Sequence, residues 1–322
     1  MGAGVRVKAA LYAAFLALLL TSCQGSRQKT IAVIPKGTSH LFWLSVQAGA
    51  VAAGQKLDVR ILWNGPAQET EYDRQIQIVD SMIARHVDGL AIAAAERKGL
   101  VQSIDRAASF GIPVTVFDSG VDTTNYLTFV ATDNYEAGRM AAQELARLLA
   151  GKGNIAVVMH TPGSESTMDR ERGFFETLAK EYPGVHVAAR QYGMSDRAKA
   201  MAAAENMLTA NPGLNGIFAS AEPSSIGAAL AIKTRGLAGK VKLVAFDATD
   251  SLIEDLKAGA IEALVVQDPY KMGYQAVQTL VDKFHGKTPP KRIDVPAYVI
   301  HREDLDKPDI KQLLHPETRS AM

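Results

Sequence analysis

Several residues able to donate or accept strong hydrogen bonds stand directly after short apolar runs. They are Lys36, Asn64, Asp118, His160, Ser220, Asp247 and Gln267. If the runs are parallel strands, these residues gather at the carboxyl edges of sheets, where such folds bind ligands. Asp118 and Asp247 would then face each other across a cleft. Two carboxylates so placed suit glycoside hydrolysis, or they simply hydrogen-bond a polyol through charge-assisted contacts. The other marks of catalysis are missing. Gly163-Ser164-Glu165-Ser166 has the wrong spacing for a nucleophile elbow. Pro35-Lys36-Gly37-Thr38 has one glycine, too few for a phosphate cradle. The 7 histidines are scattered, and none pairs at metal-ligand spacing on a helix. One cysteine excludes an intramolecular disulfide and a multi-cysteine metal site. Binding is therefore expected rather than catalysis, with no cofactor and no metal.

The elements that must position these residues alternate strand and helix. Ile31–Ile34, Val59–Trp63, Gly89–Ala93, Ile112–Phe117 and Leu127–Ala131 read as strands buried on both faces. Helical spacing is predicted over Phe42–Leu57, Tyr72–Ala84, Leu100–Phe110 and Tyr135–Leu149. The second half repeats the scheme, with strands at Ile155–Met159, Val185–Ala189, Gly216–Ala219, Val241–Phe246 and Ile261–Val266. This order implies an α/β protein of two doubly wound, parallel-sheet lobes.

Composition agrees with this. The 322 residues are 47% hydrophobic, enough for two domains. Thirty-five basic residues against 34 acidic ones leave +1, which argues against a nucleic-acid partner held by a basic surface. The start of the chain reads as an address. Arg6 and Lys8 precede an apolar run from Ala9 to Leu20, too short to span a bilayer and typical of a secretory signal. Leu20-Thr21-Ser22-Cys23 resembles a bacterial lipobox. Residues 1–22 would then be removed, Cys23 would carry lipid, and residues 23–29 would form a tether. An exported periplasmic or cell-surface lipoprotein is expected, anchored to a membrane by more than one acyl chain.

With these motifs in order, the chain resembles periplasmic sugar-binding proteins of the ribose/galactose-binding type, the solute receptors of ABC importers. The resemblance runs from about Thr30 to Arg302. It rests on Phe42-Trp43, Phe117-Asp118, Ala131-Thr132-Asp133-Asn134, Arg170-Glu171-Arg172-Gly173-Phe174, Ala245-Phe246-Asp247 and Gln267-Asp268-Pro269. Lac-repressor-type regulators share the fold but carry a DNA-binding module where this chain has its leader. The resemblance implies a type I periplasmic binding protein with a three-segment hinge, crossing near 132–133, 267–268 and 296–297. The N-terminal lobe would be 30–132 plus 268–296, the C-terminal lobe 133–267 plus 297–310, and residues 311–322 a tail. It also implies a monomer that closes on a monosaccharide or sugar alcohol and meets an ABC permease.

By the same resemblance Phe42 and Trp43 would stack on the apolar face of a sugar. Asp118, Arg172, Asp247 and Gln267 would bind its hydroxyls. Arg170 would face the surface by the motif's register, and Met168 would fill volume beside the sugar. The sequence departs from the ribose pattern. His40 stands where Asn is usual, Ser119 replaces an Arg, Ala221 replaces a sugar-binding Asn, and Ser195 replaces an aromatic residue. Glu222 would compensate or cap the helix that begins at Pro223. Ribose itself is therefore not expected. Ile34-Pro35-Lys36, Asp118-Ser119 and Asp169 are also similar to the autoinducer-2 receptor, which makes a ligand of that kind the alternative. A chemotaxis or sensor-kinase receptor would use the same site with a different partner.

Overall fold

The computed structural model describes residues 27–315. Cys23 and the expected leader lie outside the described residues, as do residues 316–322 of the expected tail.

Two six-stranded sheets form the frame. The first has the order β11-β5-β4-β3-β1-β2, all parallel. Its strands are β1 (Thr30–Ile34), β2 (Arg60–Trp63), β3 (Gly89–Ile92), β4 (Val114–Phe117), β5 (Thr128–Ala131) and β11 (Arg292–Asp294). The second has the order β12-β10-β9-β8-β6-β7. It contains β6 (Gly153–Met159), β7 (Val185–Tyr192), β8 (Leu214–Ala219), β9 (Lys242–Phe246), β10 (Ala263–Val266) and the antiparallel β12 (Tyr298–Ile300).

Helices cover both faces of each sheet. The first lobe has α1 (Leu41–Lys56), α2 (Tyr72–Ala84), α3 (Val101–Ser109) and α9 (Pro269–Phe284). The second has α4 (Asn134–Leu148), α5 (Glu165–Glu181), α6 (Arg197–Ala210), α7 (Glu222–Thr234), α8 (Asp250–Ala258) and α10 (Pro308–Leu314). Four apolar layers result, one on each face of each sheet. This is why the central strands are continuous apolar runs rather than alternating ones. In β1, β3, β4 and β5 every residue is buried.

The chain passes between lobes after β5, after β10 and between β11 and β12. At the first two passages an aspartate caps the next helix. Asp133 accepts from the Glu136 N–H and Asp268 from the Lys271 N–H, satisfying donors that a helix start leaves unpaired.

Three features depart from expectation. β11 and β12 are edge strands of three residues each that were not expected. The segment expected as a tail from 311 instead completes α10, because Leu313 and Ile310 are buried in the second lobe's core. Arg170 does not face the surface: it is 2% exposed.

Candidate functional site

The carboxyl ends of both sheets meet at one chamber between the lobes. The topology accounts for its lining. Lys36 follows β1, Asp118 follows β4, His160 follows β6, Asp247 follows β9 and Gln267 follows β10. Asp118 and Asp247 both adopt left-handed backbone conformations, with φ of 58° and 68°. Aspartate is one of the few residues that visits this region readily, and the turn ends each strand at the cleft.

The first lobe contributes an aromatic wall. Phe42 and Trp43 open α1 and meet edge to face, with centroids 4.9 Å apart. The Trp43 indole Nε1 donates to Glu69 Oε1 at 2.8 Å. The second lobe contributes a polar wall. The Arg170 guanidinium lies 3.4 Å from the centroid of the Phe246 ring. It donates to the Ser220 carbonyl and, at 2.7 Å, to Asn134 Oδ1. Asp247 accepts from Gln267 Nε2 at 2.8 Å and from the Glu222 N–H at 3.0 Å. Burial pushes the Asp247 carboxyl above its ordinary value, and the nearby Arg170 charge offsets this only in part.

Contacts between lobes hold the chamber shut. The buried Lys36 ammonium sits 2.8 Å from Asp118 Oδ2 in its own lobe and reaches Ser164 Oγ at 3.1 Å and Ser166 Oγ at 2.9 Å in the other. The Ser166 N–H donates to Ser119 Oγ, and the Gly120 N–H to Glu165 Oε2. On the opposite side the Phe42 N–H donates to Glu222 Oε2, whose other oxygen accepts from Arg197. His40 Nε2 lies 2.9 Å from Ser195 Oγ, and His160 Nε2 lies 2.8 Å from Glu69 Oε2.

Of the residues singled out from sequence, Lys36, His40, Phe42, Trp43, Asp118, Ala221, Glu222, Asp247 and Gln267 line the chamber. Ser119 is buried beside it in the lobe interface. Met168, Asp169 and Arg172 are corrections. Met168 is 39% exposed, and Arg172 pairs with Asp169 and Glu176 on the outer face of α5. Helix geometry gives the reason. Arg170 lies four residues from both Ser166 and Phe174 and shares their inward face, whereas Arg172 is turned about 200° from Arg170. That periodicity could have separated the two arginines. Glu222 neither caps α7 through its side chain nor stands free, since both its oxygens serve contacts to Phe42 and Arg197.

The sequence reading missed Glu69, Ser166, Thr167 and Pro223, and gave His160 no role beyond its strand-end place. Glu69 is 6% exposed in the link before α2. Burial alone would raise its pKa. Its contacts with His160, and the charges of Lys36 and His40, outweigh that and hold it well below the usual carboxylate range. No apolar run precedes Glu69, so nothing local marked it.

Two parallel-sheet lobes joined by three crossings, with a closed polar and aromatic chamber between them, define a two-lobed solute-binding protein. The chain belongs to the family described as the periplasmic binding protein domain, whose profile matches residues 31–288. Its fold is the type I periplasmic binding protein fold, and the family is one of binding proteins, not enzymes. The chain is 28% identical to the D-ribose/D-allose-binding protein of Pseudomonas aeruginosa over 87% of this chain and 90% of that one. A carbohydrate transporter solute-binding protein from Agrobacterium radiobacter, solved in complex with D-arabinose, is 33% identical, with a TM-score of 0.87 over 90% of this chain and all of that one. An ABC transporter solute-binding protein from Agrobacterium vitis with bound D-fucose is 35% identical, with a TM-score of 0.86 over 88% of this chain and 99% of that one.

Proposed function

We propose that this protein is a lipid-anchored, extracytoplasmic receptor that binds a monosaccharide or sugar alcohol between its lobes and delivers it to an ABC importer. One observation carries the reading. His40 Nδ1, His160 Nδ1, Arg170 Nε and Gln267 Oε1 are buried, lack hydrogen-bond partners among the described residues, and belong to residues lining the same chamber. Leaving a buried polar atom unpaired costs about 1–3 kcal/mol. A ligand rich in hydroxyls offers partners to all of them, while the Phe42 and Trp43 wall suits the C–H face of a sugar ring. The sugars bound by the similar proteins, among them D-arabinose and D-fucose, support the same class. The reading with an autoinducer-2-like ligand needs Lys36 and Asp169. The Lys36 ammonium is already surrounded by three protein oxygens, and Asp169 turns outward to Arg172.

A thermal-shift screen with D-arabinose, D-fucose, D-allose, D-tagatose and xylitol tests the reading. A ligand at about 100 times its Kd adds roughly 2.7 kcal/mol, so a binder raises Tm by several degrees. No shift with any sugar or polyol, after unfolding and refolding to remove carried ligand, rejects it. The anchor rests on the Leu20–Cys23 lipobox. Cys23→Ser should release the protein from membranes and leave sugar binding intact. Continued membrane attachment rejects the anchor.

A further inference from the structure

Glu69 belongs to the first lobe, yet its carboxylate joins both. Oε1 accepts from the Trp43 indole at 2.8 Å, and Oε2 lies 2.8 Å from His160 Nε2 across the cleft. An ionised carboxylate can only accept. The His160 Nε2 must therefore carry a hydrogen, and where the ring is neutral the lone pair is left on Nδ1. Nδ1 is buried, has no hydrogen-bond partner among the described residues, and belongs to a ring lining the chamber. The residue is also held from behind, because its N–H donates to Glu171 Oε1 at 3.0 Å. The ring thus has one end tied to Glu69 and the other able to accept.

We propose that His160 is a ligand-contacting residue, accepting a hydrogen bond from a sugar hydroxyl at Nδ1, and that Glu69 is the positioning residue that fixes its tautomer and orientation. This rests on the sugar-receptor reading above and adds to it a residue pair and a direction: the ligand must donate at this point. A ring oxygen, a carbonyl or a carboxylate there would set one lone pair against another. Gln267 makes the same demand. Its amide nitrogen donates to Asp247, so its Oε1 is left as a second acceptor without a partner. Arg170 Nε supplies a donor in return. Glu69 also sets Trp43, so one carboxylate fixes both the aromatic wall and the accepting imidazole.

Two substitutions separate contact from bridge. His160→Gln can keep a donor near the place of Nε2, preserving the link to Glu69, but removes the acceptor at Nδ1. His160→Asn gives up the link but sets a carbonyl near the place of Nδ1. Affinities for D-arabinose, D-fucose and D-allose are measured by titration calorimetry on the purified protein and both variants, with thermal melts to verify folding. The proposal expects His160→Gln to weaken binding by about tenfold to a hundredfold and His160→Asn to weaken it less. The reverse order, or unchanged affinity in both, overturns it. Nitrogen-15 NMR of the imidazole gives a readout that a purely structural role would not move. Nδ1 should be unprotonated at pH 7.5 and shift when the bound sugar is added. A protonated Nδ1, or one indifferent to sugar, also overturns the proposal. If the unsubstituted protein binds no sugar or polyol of the thermal-shift screen, the receptor reading itself fails.

Discussion

The two lobes use one frame with different side chains. β5 runs into α4 through Val130-Ala131-Thr132-Asp133-Asn134-Tyr135-Glu136-Ala137-Gly138, and β10 runs into α9 through Val265-Val266-Gln267-Asp268-Pro269-Tyr270-Lys271-Met272-Gly273. Val, Asp, Tyr and Gly recur at the same spacing. In the second lobe Gly138 of α4 packs so closely on α5 that a Cβ would lie 1.9 Å from the Arg170 carbonyl oxygen. In the first lobe Gly273 of α9 packs on α1, where a Cβ would lie 2.0 Å from the Val46 carbonyl oxygen. The reciprocal glycines, Gly173 and Gly49, meet Tyr135 and Tyr270 in the same way.

These contacts put α1 and α5 in register. Val46 matches Arg170, Trp43 matches Thr167, and Phe42 matches Ser166. One lobe therefore presents aromatic rings to the chamber, with Val46 kept in its core, and the other presents hydroxyls and a guanidinium, from the same places on matching helices. Phe117-Asp118 and Phe246-Asp247 extend the parallel. Asp118 is neutralised by Lys36 within its lobe, whereas Asp247 faces Arg170 and takes hydrogen bonds from Gln267 and Glu222. The frame fixes where side chains meet the chamber. Their chemistry is set separately in each lobe, as an amphipathic ligand with one apolar and one polar face would require.

The comparison is broken most severely at Arg170. Arg170→Met makes α5 resemble α1 but leaves Asp247 without its cation and the Asn134 and Ser220 oxygens without their donor. Leaving each of these buried acceptors without its donor costs about 1–3 kcal/mol. A fall in Tm of many degrees and the loss of measurable sugar binding are expected. Calorimetric melts and titration check both, and a variant that keeps its affinity would remove the polar wall from the site.

A smaller effect is expected at the latch. Lys36→Met leaves the aromatic wall in place but frees Asp118, Ser164 and Ser166 from their shared cation. Each lost buried partner is worth about 1–3 kcal/mol. Sugar affinity should fall about tenfold or more through faster dissociation, and X-ray scattering of the sugar-free protein should give a larger radius of gyration. Unchanged dissociation would show that Lys36 does not hold the lobes together.

Much of this was legible in the sequence because burial on both faces writes strands as apolar runs, and parallel order then sends their carboxyl ends to one edge. That logic located Lys36, Asp118, Asp247 and Gln267. It had no purchase on β11, whose Arg292-Ile293-Asp294 carries a charge at each end, and it passed over β12, whose apolar Tyr298-Val299-Ile300 run is only three residues long. It also failed at Glu69, whose partners Trp43 and His160 are 26 and 91 residues away in the chain. Arg170 was legible in principle. Its inward face follows from its spacing to Ser166 and Phe174 at the helical period.

The mildest test concerns that Glu69 clamp, which belongs to neither lobe's pattern alone. Its carboxyl is held below its ordinary value of 4.5 by His160, Lys36 and His40 despite burial. A depressed acid adds stability that is fully present above its unfolded pKa and is lost as pH falls below that. The contribution of Glu69 should therefore be complete at pH 7 and decline below about pH 4.5. Other carboxylates titrate in the same range, and the buried Asp247 and Glu171 and the half-buried Glu165 are shifted the opposite way. The informative quantity is therefore the difference between two proteins. Glu69→Gln removes the one titration and keeps the shape. The Tm advantage of the unsubstituted protein over this variant should shrink between pH 7 and pH 3. A constant difference would mean that Glu69 acts by shape and hydrogen bonding alone, and that its charge does not hold the His160 side of the chamber to the Trp43 side.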